Sequence, residues 1–123
     1  MAGRAILAFV PDLMFSVRLR EAAARALDTL STVDSAGDFH DRLEAMRPFL
    51  VVLDLSAAGP GVEELVAASR RYGSRVIAFG PHVQKELLAR AQRVGCDAVY
   101  TNARFKTQTD EILRQWAGDD AAD

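Results

Sequence analysis

Three features of the sequence predict an α/β fold, a doubly wound parallel sheet of five strands with helices on both faces. Short apolar runs alternate with stretches in which apolar residues recur every three or four positions, the pattern of a (βα)5 chain. The strongest runs are almost continuously apolar, as parallel strands covered on both faces require. All four prolines, Pro11, Pro48, Pro60 and Pro81, fall at predicted strand ends or in the adjoining turns, so punctuation and periodicity divide the chain at the same places. Right-handed crossovers in an open sheet of this size give the strand order 2-1-3-4-5.

The first strand is the buried run at 5–10, after which Phe15, Leu19, Ala22, Ala23, Ala26 and Leu30 share one helical face. Ser31-Thr-Val-Asp34 is more polar, which suits an edge strand. Asp38 is placed to N-cap a short second helix with Phe39, Leu43 and Met46 inward, and Pro48 ends it. The run at 49–55 is the central strand. Beyond the turn Ala58-Gly-Pro-Gly61, a third helix carries Val62, Leu65, Val66 and Ser69 and closes at Gly73. A fourth strand spans 75–79. Its helix uses Val83, Leu87, Ala91 and Val94, with Gly95 at the left-handed position that ends it. The fifth strand spans 97–101, and Ile112, Leu113 and Trp116 form the inward face of a last helix, for which Thr107 and Asp110 are spaced as a cap. Residues 1–117 read as one domain and residues 118–123 as an acidic flexible tail.

Composition narrows the function. A net charge of −2 argues against direct nucleic-acid binding, which needs a basic stripe. The longest apolar run stops at Asp54, well short of the roughly 20 residues of a membrane span. The apolar run near the N-terminus is interrupted by Pro11-Asp12, too early for a secretion signal. The single cysteine, Cys96, cannot form a disulfide within the chain, which fits a reducing cytoplasm. In the predicted strand order the carboxyl ends of strands 1 and 3 flank the switch point where such sheets bind ligands. Asp12 follows strand 1 and Asp54 ends strand 3, so two carboxylates from distant parts of the sequence share one crevice.

Two segments carry a resemblance. Leu50-Val-Val-Leu-Asp-Leu55 and Gly95-Cys-Asp-Ala-Val-Tyr-Thr101 resemble the third strand and the approach to the fifth strand in receiver domains of two-component response regulators, the family of the chemotaxis regulator. The likeness runs from Ile6 to Trp116 and implies a flavodoxin-like three-layer sandwich. It also implies that Asp54 is the phosphoacceptor and that Asp12 and Asp54 bind Mg²⁺. Other positions depart from the family pattern. Pro11 stands where a second acid is expected, and Gly80 where a hydroxyl contacts a phosphoryl oxygen. Asn102 or Ala103 replaces the lysine that closes strand 5, and Ala57-Ala58 replaces a Met-Pro pair. The resemblance therefore implies a degenerate, or pseudo-, receiver with weak Mg²⁺ binding at most, although Arg104 or Lys106 could bring a charge to the crevice.

Each candidate also has a plainer reading. Asp54 can serve as a solvated or backbone-bonded strand end, and Asp12 as a helix cap. His82 stands beyond strand 4 on the same rim, as a zinc-type ligand with the two acids or as a solvated loop histidine. Cys96 is a redox handle or a half-buried packing residue. Tyr100 and Arg104 lie where receivers commonly make partner contacts, whereas the spacing of Trp116 with Ile112 and Leu113 favours a core position. The expected function is a stand-alone, non-enzymatic, cytoplasmic signalling module, a monomer or weak homodimer that acts through protein contact, with a histidine kinase or an output protein as partner. The alternative is a response regulator phosphorylated on Asp54 by a cognate histidine kinase. A small-ligand α/β domain ranks below both, because the chain has no Gly-rich phosphate loop. No output domain is expected, so any signal leaves through the surface of this domain.

Overall fold

The computed structural model describes residues 4–117. Strands β1 (Ala5–Phe9), β2 (Thr29–Val33), β3 (Leu50–Asp54), β4 (Arg75–Gly80) and β5 (Ala98–Thr101) form one sheet in the order β2-β1-β3-β4-β5. All four pairings are parallel. The helices are α1 (Leu13–Arg25), α2 (Ala36–Met46), α3 (Leu55–Ala58), α4 (Val62–Arg71), α5 (Lys85–Arg93), α6 (Asn102–Thr107) and α7 (Thr109–Ala117), with a 3-10 turn at Gly59–Gly61 between α3 and α4. None of them is long and apolar enough to cross a membrane. The tail assigned to 118–123 lies outside the described residues.

Alternation along the strands divides the core into two layers. Ile6, Ala8, Leu50, Val52, Ile77 and Phe79 face α1, α6 and α7, where they meet Phe15, Leu19, Phe105, Ile112 and Leu113. Leu7, Phe9, Val51, Leu53, Val76 and Ala78 face α2, α4 and α5, where they meet Phe39, Leu43, Leu65, Val66 and Ala91. This is the two-sided burial that near-continuous apolar strands demand.

Several element boundaries differ from the sequence expectation. Helix α1 ends at Arg25, because Ala26 caps it and Leu27 turns left-handed with φ 65°. Leu30 therefore belongs to β2 rather than to the helix face. The N-cap of α2 is Ser35, whose hydroxyl accepts from Asp38 N at 3.1 Å, so Asp38 lies in the first turn instead of capping it. Val83 is 73% exposed in a turn closed by Gln84 N donating to Pro81 O, and α5 starts only at Lys85. Gly95 does end this helical segment at φ 112°, a conformation strained for any residue with a side chain. Thr107 and Asp110 do not cap the last helix. Thr101 caps α6 by accepting from Arg104 N, and the following chain breaks into two helices. At the break Thr107 Oγ1 donates to Ala103 O and Thr109 Oγ1 to Phe105 O, which satisfies carbonyls released there.

Asp97 lies just before β5 rather than within it. Its carboxylate accepts from Val76 N at 2.8 Å and pairs with Arg70 at 3.3 Å, tying α4 to the start of two strands. Asp97→Ala leaves the fully buried Val76 amide without this acceptor, with an expected loss of about 1–3 kcal/mol, whereas Asp97→Asn retains most of the stability. Chemical denaturation of the two variants checks this.

Candidate functional site

Strands β1 and β3 are neighbours, paired through Phe9 and Leu53, so the residues that follow them share one rim. Asp12 N-caps α1, its Oδ1 accepting from Phe15 N at 3.1 Å. Asp54 ends β3 and N-caps α3, its Oδ1 accepting from Ser56 N at 3.0 Å. Asp12 is thus a helix cap, and Asp54 a strand end bonded to a backbone amide. Burial is the main force pushing the Asp54 carboxyl above the usual range, and the Asp12 charge adds to it. The amides of Ser56 and Ala57 and the Lys106 ammonium act the other way. The crevice therefore gathers two carboxylates and one cation.

The direction of the Asp54 shift has a consequence for stability. The folded state holds the Asp54 proton more tightly than the unfolded state, so this group stabilises the fold below its unfolded pKa and that contribution is lost as pH rises through the raised value. Its ionised form is a net cost at neutral pH. Asp54→Asn is expected to raise Tm at neutral pH, with the gain shrinking as acid protonates the native carboxyl. Melting curves across that range check this, and a gain independent of pH would contradict it.

Lys106 reaches the crevice from α6. It stands four residues after Asn102, hence on the same helical face, and its Nζ lies 5.2 Å from the centre of the Phe15 ring. The sequence marks Lys106 only as a charge that could approach. The cap signal Thr101-x-x-Arg104 and the apolar Phe105 were the available clues to the helix that carries it.

Gly80, the last residue of β4, lies next to Phe79, the register partner of Asp54. A Cβ built on Gly80 would stand 3.2 Å from Leu88 Cδ2 and 3.4 Å from Leu55 Cβ. Apolar side chains of α5 and α3 stand beside the position where the resemblance calls for a hydroxyl, and a side chain there would make Leu88 give by a few tenths of an ångström. Pro11 lies exposed between β1 and α1 and supplies no carboxylate. His82 is exposed in the turn after β4, and among the described residues no three His, Cys, Asp or Glu side chains are grouped to hold a metal. The zinc set with Asp12 and Asp54 is therefore not assembled. For Mg²⁺ the fit is partial: two carboxylates are present, each committing one oxygen to a helix cap, and water would have to supply the other ligands.

Away from the crevice, Tyr100 is only 7% exposed, and its hydroxyl accepts from Trp116 Nε1 at 2.6 Å. Tyr100 thus points inward rather than forming part of a contact face. Trp116 is half-buried against the same apolar layer, and Arg104 lies exposed over the Tyr100 ring at 5.2 Å. Burial, reinforced by the Asp97 charge, pushes the Cys96 thiol up to about 12 against a weaker pull from Arg70. Its thiolate fraction near neutral pH is so small that iodoacetamide labelling of the native protein is expected to be at least roughly a hundredfold slower than after unfolding. Timed labelling followed by mass measurement checks this.

No protein-family model and no curated protein matches the sequence. Solved structures do. A response regulator from Hahella chejuensis is similar at 14% identity, with 95% of this chain and 97% of that one covered and a TM-score of 0.82. The phosphorylated cyanobacterial phytochrome response regulator RcpA matches at 16% identity over 95% and 96% of the two chains, with a TM-score of 0.78. The receiver domain of the sensor histidine kinase PA1611 from Pseudomonas aeruginosa, with magnesium in its active-site cleft, matches at 15% identity over 96% and 100%, with a TM-score of 0.74. The chain has the flavodoxin-like fold of response-regulator receiver domains.

Proposed function

We propose that the protein is a pseudo-receiver, a non-enzymatic cytoplasmic signalling module that acts by protein contact and whose Asp54 is phosphorylated poorly or not at all. The carrying observation is that Gly80 offers no side-chain donor and has the apolar side chains of Leu88 and Leu55 packed beside it. The absent acid at Pro11 and the uncharged Asn102 support the same reading. The proposed output face runs from α5 through β5 to α6 and α7, with Arg104 on its surface and Tyr100 and Trp116 bonded beneath it. Its partner is a histidine kinase or an output protein rather than a nucleic acid or a membrane, and the chain itself is a monomer or weak homodimer.

Beryllofluoride with Mg²⁺ mimics a phosphorylated carboxylate. Titrated into ¹⁵N-labelled protein, it is expected to leave the amides of Asp12, Asp54 and Gly80 unshifted. Saturable shifts at those three positions would overturn the pseudo-receiver reading. They would support the second one, a working phosphoacceptor in which Asp12 and Asp54 hold a hydrated Mg²⁺ and a cognate kinase supplies phosphate. One observation favours that alternative, the Lys106 ammonium acting on Asp54 from α6.

A further inference from the structure

A cavity of about 350 Å³ opens at the carboxyl end of the sheet, between the end of β1, the turn from β2 into α2, and the segment joining α3 to α4. Phe9 and Leu65, both buried, give it an apolar floor, and Ala57 and Ala58 line it from α3. Phe9 and Leu53 belong to the layer beneath α2 and α4, so alternation along β3 turns Asp54 to the opposite face. The cavity is therefore separate from the crevice. Both lie beside the switch point between β1 and β3, where open sheets of this class take their ligands.

Its charges select the occupant. Asp34, after β2, and Glu64, in the first turn of α4, are exposed at its rim, and among the described residues no lysine or arginine lines it. Neither carboxylate forms a salt bridge among the described residues, whereas the neighbouring Glu63 pairs with Arg90 at 3.9 Å. The N-terminus of α2 does not call for an anion here, because Ser35 caps it and Asp38 stands in its first turn. Nor are the acids and His40 grouped as a metal ion requires. We propose that the cavity binds a small organic amine, its hydrocarbon body over Phe9 and Leu65 and its ammonium at the rim with Asp34 and Glu64. An apolar cavity with a few placed polar groups is the usual make-up of a small-molecule site, and this one is at the small end of the range, which suits roughly ten non-hydrogen atoms. An exposed carboxylate alone holds a free cation weakly. Here the apolar floor holds the same molecule, so the two contributions act on one ligand, and Phe9 adds an aromatic surface for the cation. The inference concerns the face away from Asp54 and does not depend on the function proposed above.

The test titrates phenethylamine, cyclohexylmethylamine, 2-phenylethanol and 3-phenylpropionate into the ¹⁵N-labelled full chain at constant low ionic strength. Both amines are expected to give saturable shifts at the amides of Ser35, Ala36, His40, Ala58 and Leu65, with little change at Asp12 and Gly80. The alcohol, which keeps the aromatic body without the charge, should bind about 3–10-fold more weakly, and the carboxylate should not bind. Asp34→Asn combined with Glu64→Gln should weaken phenethylamine by the same factor of about 3–10, the usual worth of two exposed ion pairs. Both positions are exposed, so the fold is not at stake in that variant. Ala58→Leu, which narrows the cavity, should weaken both amines while the remaining resonances stay in place. An alcohol that binds as tightly as phenethylamine, or either variant binding as the native chain does, would overturn the proposal. Shifts that stay linear in amine concentration, or that centre on Asp12 and Gly80, would overturn it as well. So would saturable shifts from an arginine-containing peptide where the free amines give none, because the occupant would then be a side chain of a partner protein.

Discussion

Incubated with acetyl phosphate and Mg²⁺, the protein is expected to acquire phosphate on Asp54 about 10²–10³-fold more slowly than a receiver that keeps a hydroxyl after its fourth strand. That factor is the usual loss for one preorganised donor aimed at developing charge, and the position of Gly80 offers none. Lys106 keeps one cation within electrostatic reach of Asp54, so a residual rate is expected, and Lys106→Ala should lower it further. Leu88→Ala, which opens space beside Gly80, is expected to raise the rate, whereas Gly80→Thr alone is not, since its Cβ meets Leu88 first. Intact-mass measurement of the phosphorylated fraction over time reads all four proteins, with Asp54→Asn as the blank. A native rate equal to that of an intact receiver would mean that the filled pocket does not control the chemistry.

The central strands were legible because burial on both faces leaves a local mark: Leu50, Val51, Val52 and Leu53 can be read as a strand without knowing their neighbours. Boundaries set by single backbone residues were not. Nothing in the sequence of Leu27 announces a left-handed conformation, so helical spacing alone carries Leu30 into the wrong element. The pairing of Asp12 with Asp54 follows from topology, and the sequence predicts topology through the alternation of strands and helices. The filling of the Gly80 pocket is different. It depends on Leu88, whereas the helical spacing had singled out Leu87, and only the packing of α5 shows that Leu88 reaches the crevice. Likewise the bond from Trp116 to Tyr100 joins residues 16 apart across two helices and a strand, with no local pattern to reveal it.

Phe105→Ala is expected to lower the stability of the protein by about 3–5 kcal/mol, a large share of the 5–15 kcal/mol typical of a whole domain. Phe105 is fully buried. Its ring stacks on Phe79 at 4.6 Å and 5°, meets Phe15 edge-on at 5.8 Å, and tilts against Tyr100 at 5.9 Å. Truncation removes contacts with rings from α1, β4 and β5 at once and leaves a cavity that those elements, anchored in the sheet, cannot close. Phe105→Leu should recover much of the loss, because it refills the volume without the stacking geometry. Urea unfolding gives the values, with a lowered midpoint and an unchanged m-value expected. A loss below about 1 kcal/mol would mean that α6 is not held by this ring. The effect should also reach function, because Phe105 anchors the six-residue helix that carries both Arg104 and Lys106. Phe79 in the same stack is the register partner of Asp54, and Tyr100 passes the packing on to Trp116. A single buried ring therefore couples the cation of the crevice to the proposed contact face, and Phe105→Ala should shift the fluorescence of Trp116 and the titration of Asp54 together.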